Sequence, residues 1–136
     1  MGIKVVKFGG SSLCDAEHFK KVKNIILSDP ARCYVVPSAP GKRTPDDKKI
    51  TDLLYECYHL VDINQPHEEV FEIVARRFRE IAKELELSFD LESVLRETCH
   101  EIRKRRSPDY AASRGEYLSG ILLSEYLGWD FIDPVD

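Results

Sequence analysis

A chain of 136 residues, 43% hydrophobic and 32% charged with a formal net charge of -4, has the size and balance of one globular domain with one core. The acidic balance excludes a nucleic-acid binder held by phosphate contacts, and no apolar run approaches the ~18 residues of a membrane span. No secretory leader is visible, so small molecules or protein surfaces in the cytoplasm are the expected partners, with no nucleic acid and no membrane.

The N-terminal run Ile3, Val5, Val6, Phe8 predicts a short strand that ends abruptly at Gly9-Gly10-Ser11-Ser12. Paired glycines permit positive φ and the close approach of a ligand, and the serines add hydroxyl donors. With Lys7 beside it and Asp15 placed to cap a following helix, the stretch reads as an anion-facing loop. It is neither GxGxxG nor GxxxxGK[ST], and a tight strand-to-helix turn with an exposed lysine fits the same residues.

Residues 15–28 put Phe19, Val22, Ile25 and Ile26 on one helical stripe, and Asp29-Pro30 stops it. Cys33-Tyr34-Val35-Val36 follows as a second strand, so the first 36 residues form a βαβ unit with a parallel pair, expected to be covered on both faces. Pro37 marks the exit from the sheet, and the Ser38-Ala39-Pro40-Gly41 loop leaves from the same rim as Gly9-Gly10, where ligands of parallel sheets bind. Residues 42–49 read as a mobile flap or as a plain surface connection.

Residues 50–62 predict a helix with Leu53, Leu54, Cys57, Tyr58 and Val61 at the 3.6 period, in which Thr51 is either a cap or a ligand contact. Two more amphipathic helices, carrying Val70 to Leu85 and Leu91 to Ile102, look like scaffold. Arg103-Lys104-Arg105-Arg106 suits the C-terminus of the second of these. A last helix over 109–127 contains Gly115, which costs ~1 kcal/mol relative to alanine unless a ligand or another helix comes close there, or unless the helix begins nearby. Glu116 stands beside that gap. Trp129-Asp130-Phe131-Ile132 predicts a third strand, closed by Asp133-Pro134. Cys14, Cys33, Cys57 and Cys99 lack CxxC spacing and read as reduced thiols; Cys14 with His18, or Cys99 with His100, lack the spacing of a zinc motif, so no metal is expected on them.

Lys7-Phe8-Gly9-Gly10-Ser11-Ser12, then Ser38-Ala39 with Thr51-Asp52-Leu53-Leu54, then Arg114-Gly115-Glu116-Tyr117-Leu118-Ser119 closely resemble the aspartate kinases of the amino-acid kinase superfamily. The KFGGSS form separates the chain from the glutamate and uridylate kinase relatives. The resemblance implies an α/β fold, a mostly parallel sheet sandwiched by helices and incomplete on its C-terminal side, with residues 1–136 as the N-terminal part of a single catalytic domain. It implies MgATP-dependent phosphorylation of the side-chain carboxylate of L-aspartate, the first step towards lysine, threonine and methionine, by a homo-oligomer. Carried over by position, Lys7 is catalytic and steadies the γ-phosphoryl charge; Gly9, Gly10 and Ser11 line its path; Ser38 lies near the phosphates; Thr51 and Glu116 contact the amino acid. Pro37 and the long 42–49 insertion depart from the family pattern. The arginine that grips the substrate, the nucleotide-binding segment and the ACT regulatory domains would all lie after Asp136. The chain is therefore expected to be a fragment without activity of its own. A reading of another class is a binding or assembly module that keeps the fold without catalysis.

Overall fold

Extended backbone at both ends of the first βαβ unit pairs as the sequence predicts. In the computed structural model, which describes residues 2–135, β1 (Lys4–Phe8) lies parallel to β2 (Arg32–Pro37), with Val5 opposite Tyr34, Phe8 opposite Pro37 and an irregularity between Lys4 and Val5. α1 (Ala16–Leu27) makes the crossover, and its cap is the expected one: Asp15 Oδ1 accepts from the His18 amide at 2.9 Å. Phe8 is buried, and Val6 and Val35 pack against the core beside it. Those positions alternate with Val5 and Tyr34, which are 68% and 57% exposed. Helices thus cover one face of the pair, and the expectation of cover on both is not met among the described residues.

α2 (Ile50–Asp62), α3 (Glu68–Glu84), α4 (Leu91–Arg105) and α5 (Pro108–Leu127) follow the predicted bounds closely. Phe19 and Val22 of α1, Leu54 and Val61 of α2, Phe78 of α3, Ile102 of α4 and Leu118 and Leu122 of α5 meet in one core. Each such side chain contributes about 1.5–3 kcal/mol by leaving water. Ile25, expected in this core, is instead exposed.

The basic block is structural. Arg103 donates to the Gln65 carbonyl at 2.6 Å, Arg106 to the Val61 carbonyl at 3.2 Å, and Arg105 lies over the Tyr110 ring. Arg106 takes the left-handed position (φ 50°) that ends α4, and Ser107 with Pro108 starts α5 at once.

No third strand forms at residues 129–132. Gly128 (φ 71°) turns the chain back over α5, the Trp129 amide bonds the Ser124 carbonyl at 3.0 Å, and the Ser124 hydroxyl donates to the Trp129 carbonyl. Phe131 sits on Gly120, where an added Cβ would meet its ring at 2.5 Å. Backbone groups and an aromatic face that suit a ladder are here spent on the helix.

Candidate functional site

The first loop is built around close backbone approach. Gly9 leaves β1 with φ -76°, Gly10–Ser12 forms one 3₁₀ turn, and neither glycine has positive φ, so conformational freedom is not why they are there. A Cβ on Gly10 would lie 3.0 Å from the Ala39 carbonyl oxygen and 3.2 Å from the Gly41 backbone. A Cβ on Gly41 would lie 2.7 Å from the Gly10 carbonyl carbon. The two loops touch as bare backbone, joined by the Gly41 amide donating to the Gly10 carbonyl at 2.8 Å. The space a Gly9 Cβ would fill is open, so a ligand can reach the chain there. Asp15 already occupies the N-terminus of α1, so an anion would be met by loop amides and Lys7 rather than by the helix end.

The other expected site residues arrive beside the same contact. A Cβ on Gly115 would lie 2.6 Å from Ala39 Cβ, 3.4 Å from Ile50 Cγ2 and 3.6 Å from Leu54 Cδ1. Of the readings open for Gly115, close packing is therefore the one the structure takes. Ser38 precedes Ala39, Thr51 follows Ile50 and Glu116 follows Gly115, so each of these residues is next in sequence to one that meets at this contact. Thr51 is half-buried in the first turn of α2 and its side chain caps nothing, since Lys49 holds the N-cap position. Lys7 and Glu116 are exposed. Among the described residues neither has an ion-pair partner within the chain, whereas Arg79 and Arg43 are each paired twice.

A buried arginine that the sequence reading passed over reaches this rim from α3. Arg77 is 6% exposed, and its Nη2 donates to the Cys14 carbonyl at 3.0 Å and to the Gly41 carbonyl at 2.8 Å. Asp47 Oδ2 stands 3.8 Å from its Nη1 and is itself gripped by Arg43, through Nε at 2.9 Å and the amide at 2.7 Å, while Arg43 reaches on to Glu80. Burial and the neighbouring Arg43 charge lower the affinity of Arg77 for its proton. The Arg43 hydrogen bonds hold the Asp47 carboxyl far below the usual carboxylate range. Residues 42–49 are thus tied to α3 rather than free. Arg77 lies three residues after Val74 and four before Ile81 on the apolar stripe of α3, and a charge on that stripe is the signal that it is buried with partners.

Two residues before Glu116, Arg114 is 3% exposed, lies 4.4 Å from the Tyr110 ring and 4.2 Å from Tyr117, and pairs with Asp133 at 3.2 Å. It pins the segment after α5. The donors Cys14 Sγ, Asp15 Oδ1 and His18 Nδ1 lie within 4.8 Å of one another, the one such group among the described residues. The 2.6 Å between Nδ1 and Oδ1 is a hydrogen bond, too short for two ligands of one tetrahedral ion, and the helix N-terminus disfavours a cation. Burial, then the Asp15 charge, raises the Cys14 thiol away from the thiolate that a metal takes.

No protein-family model matches the chain. It is 34% identical over 145 residues to aspartokinase 3 of Bacillus subtilis, a match covering 98% of this chain and 32% of that protein. Its fold matches the crystal structure of Clostridium acetobutylicum aspartate kinase with a TM-score of 0.94 at 51% identity, over 98% of this chain and 31% of the other. Aspartokinase III of E. coli, solved in complex with aspartate and ADP, matches at a TM-score of 0.70 and 26% identity, over 93% of this chain and 29% of the other. Along nearly its whole length this chain is thus a homologue of aspartate kinases, and it spans no more than 32% of the length of these relatives.

Proposed function

We propose, from that kinship to aspartate kinases and from the rim of touching loops, that the chain supplies the substrate-binding and catalytic-lysine side of an aspartate kinase. The reaction is transfer of the γ-phosphoryl group of ATP to the side-chain carboxylate of L-aspartate, giving an acyl phosphate and ADP. The acceptor, with an ordinary pKa of about 3.9, is already ionised near pH 7, so no general base is needed. What the protein must do is align the groups and neutralise spreading negative charge.

Lys7, exposed near the end of β1 and without an ion-pair partner among the described residues, places its charge beside the glycine loop. Gly9, Gly10 and Ser11 line the path of the phosphoryl group, which reaches open backbone at Gly9, and Ser38 lies near it in the adjoining loop. Glu116 takes the substrate ammonium, and Thr51 contacts the amino acid from the start of α2. These loops offer amides, hydroxyls and a lysine, which suit phosphate oxygens. They hold no carboxylate cluster for a bare divalent ion, so Mg²⁺ would arrive with the nucleotide.

In this reading residues 1–136 form the N-terminal part of one catalytic domain in a cytoplasmic homo-oligomer. The nucleotide-binding half and the ACT domains correspond to the remaining length of the relatives. No helix among the described residues is long and apolar enough to cross a membrane. The 136-residue polypeptide alone is expected to release no ADP in an aspartate-dependent way.

The observation that carries the reading is the close approach of Gly10 to Ala39 and Gly41 and of Gly115 to Ala39 and Ile50, which supports a shared rim for Lys7, Ser38, Thr51 and Glu116. A chimera tests it: this chain replaces the aligned third of the Clostridium acetobutylicum enzyme, and aspartate-dependent ADP release is followed by a coupled assay. Turnover that falls by about 10²–10³ in Lys7→Ala, with circular dichroism unchanged, is the expected result. A folded chimera without turnover would point to a binding or assembly module, and near-normal turnover in Lys7→Ala would remove the catalytic role.

A further inference from the structure

Arg77 lies in α3, outside every motif that points to the reaction, yet among the described residues it is the one side chain whose hydrogen bonds join the glycine loop's exit to the Ser38–Gly41 loop. Its Nη2 holds the carbonyls of Cys14 and Gly41, contributed by positions 63 and 36 residues away. A trans peptide is planar, with its carbonyl and amide pointing in opposite directions. Fixing the Cys14 carbonyl therefore also fixes the Asp15 amide, and fixing the Gly41 carbonyl fixes the Lys42 amide, each directed away from the guanidinium. The Gly41 amide meanwhile donates to the Gly10 carbonyl at 2.8 Å. One planar fork and one backbone bond thereby set the separation and tilt of both loops. Asp47, held by Arg43, stands behind the fork at 3.8 Å.

We propose that Arg77 is a positioning residue for phosphoryl transfer: a buried clamp that holds the two phosphate-facing loops in register without touching substrate. The proposal rests on the reading of this rim as a phosphoryl-transfer site. Its specific consequence is that loss of the clamp reduces the chemical step more than it weakens aspartate binding, because it sets the glycine loop that follows Lys7 and the Ser38–Gly41 loop rather than α5, which carries Glu116.

Three substitutions test it. Arg77→Met keeps the length and removes both donors. Arg77→Lys keeps the charge but lacks the planar fork that serves both carbonyls from one nitrogen. Arg103→Met is the control: it too removes a guanidinium bonded to a backbone carbonyl, that of Gln65, beyond the far end of α2 and about 20 Å along that helix from Thr51.

In the chimera, Arg77→Met is expected to lower kcat by about tenfold to a hundredfold with the KM for aspartate changed by less than about threefold. Arg77→Lys should recover part of the loss, and Arg103→Met should lower the melting temperature without changing kcat. In the 136-residue chain itself, amide hydrogen exchange at Gly41 should quicken at least about tenfold in Arg77→Met while amides of the β1–β2 ladder change far less.

Unchanged exchange at Gly41, unchanged kcat in Arg77→Met, or an equal loss of kcat in Arg103→Met each overturns the clamp. Should the unsubstituted chimera lack turnover, the proposed reaction fails and the exchange result still decides whether Arg77 sets the loops. Should Arg77→Met not fold, Arg77→Lys carries both measurements.

Discussion

Replacing Gly115 with alanine adds one methyl group at the point where α5, α2 and the Ser38–Gly41 loop meet. In an open helix interior this substitution stabilises by about 1 kcal/mol, because alanine loses less backbone freedom on folding. Here the new Cβ would stand 2.6 Å from Ala39 Cβ. Carbon atoms settle at about 3.5–4.0 Å, so the loop or the helix must yield by roughly 1 Å, while Ile50 at 3.4 Å and Leu54 at 3.6 Å already stand in van der Waals contact. Overpacking of this kind costs about 1–3 kcal/mol. Against the propensity gain, a net loss of about 0–2 kcal/mol is expected, which lowers the melting temperature by about 4 °C per kcal/mol in a domain of this size. The functional effect is larger than the thermal one. A shift of about 1 Å in the loop bearing Ser38 can cost up to about 10² in rate, and α5 carries Glu116 on the adjoining residue. Calorimetry on the chain and steady-state kinetics on the chimera measure the two parts. A Gly115→Ala protein that melts above its parent and turns over normally would refute the packing argument.

Glu116→Gln, which keeps the shape and removes the charge, should raise the KM for aspartate at least about tenfold while sparing that for ATP, since a carboxylate facing an ammonium acts mainly in binding; an equal change in both constants would reject that role. Burial is the first cause that pushes the Cys57 thiol up to about 12 and the Cys99 thiol up to about 11, and Cys14 is raised too, whereas Cys33 is exposed. At pH 8, Ellman's reagent should therefore find one fast thiol, lost in Cys33→Ser, and a second fast thiol would contradict the packing around α2 and α4. Burial alone would raise the Asp133 carboxyl, but the Arg114 guanidinium and the Val135 amide outweigh it and hold it below the usual range. A depressed carboxyl contributes stability above its unfolded pKa, near 4, and loses it as pH falls through the folded value. The melting temperature should thus stay level from about pH 7 to 5 and drop below about pH 4, and Asp133→Asn should melt lower at pH 6 yet fall less steeply in acid; parallel curves would count against the pair.

What sequence showed and what it hid divide along the range of the interaction. The βαβ unit, the Asp15 cap, the stop at Asp29-Pro30 and the bounds of four later helices rest on residues within a turn or two of each other, and all are found where they were expected. Trp129 to Ile132 carried an equally strong strand pattern and failed, because a strand needs a partner edge, and here Gly120 seats Phe131 while Ser124 takes the Trp129 backbone. The glycines of the site were legible as positions but not as reasons. Gly10, Gly41 and Gly115 share no left-handed backbone; each marks a place where another chain segment comes within the reach of a Cβ, and sequence cannot say which segment that is. Arg77 is the converse case. Its place on an apolar stripe announces a buried charge that must find acceptors, and both acceptors turn out to be backbone carbonyls, which every residue carries and no motif records. A site assembled from backbone approaches and a backbone clamp is therefore visible in sequence chiefly through the side chains that are missing, and its one added side chain reads as scaffold until the fold shows what it holds.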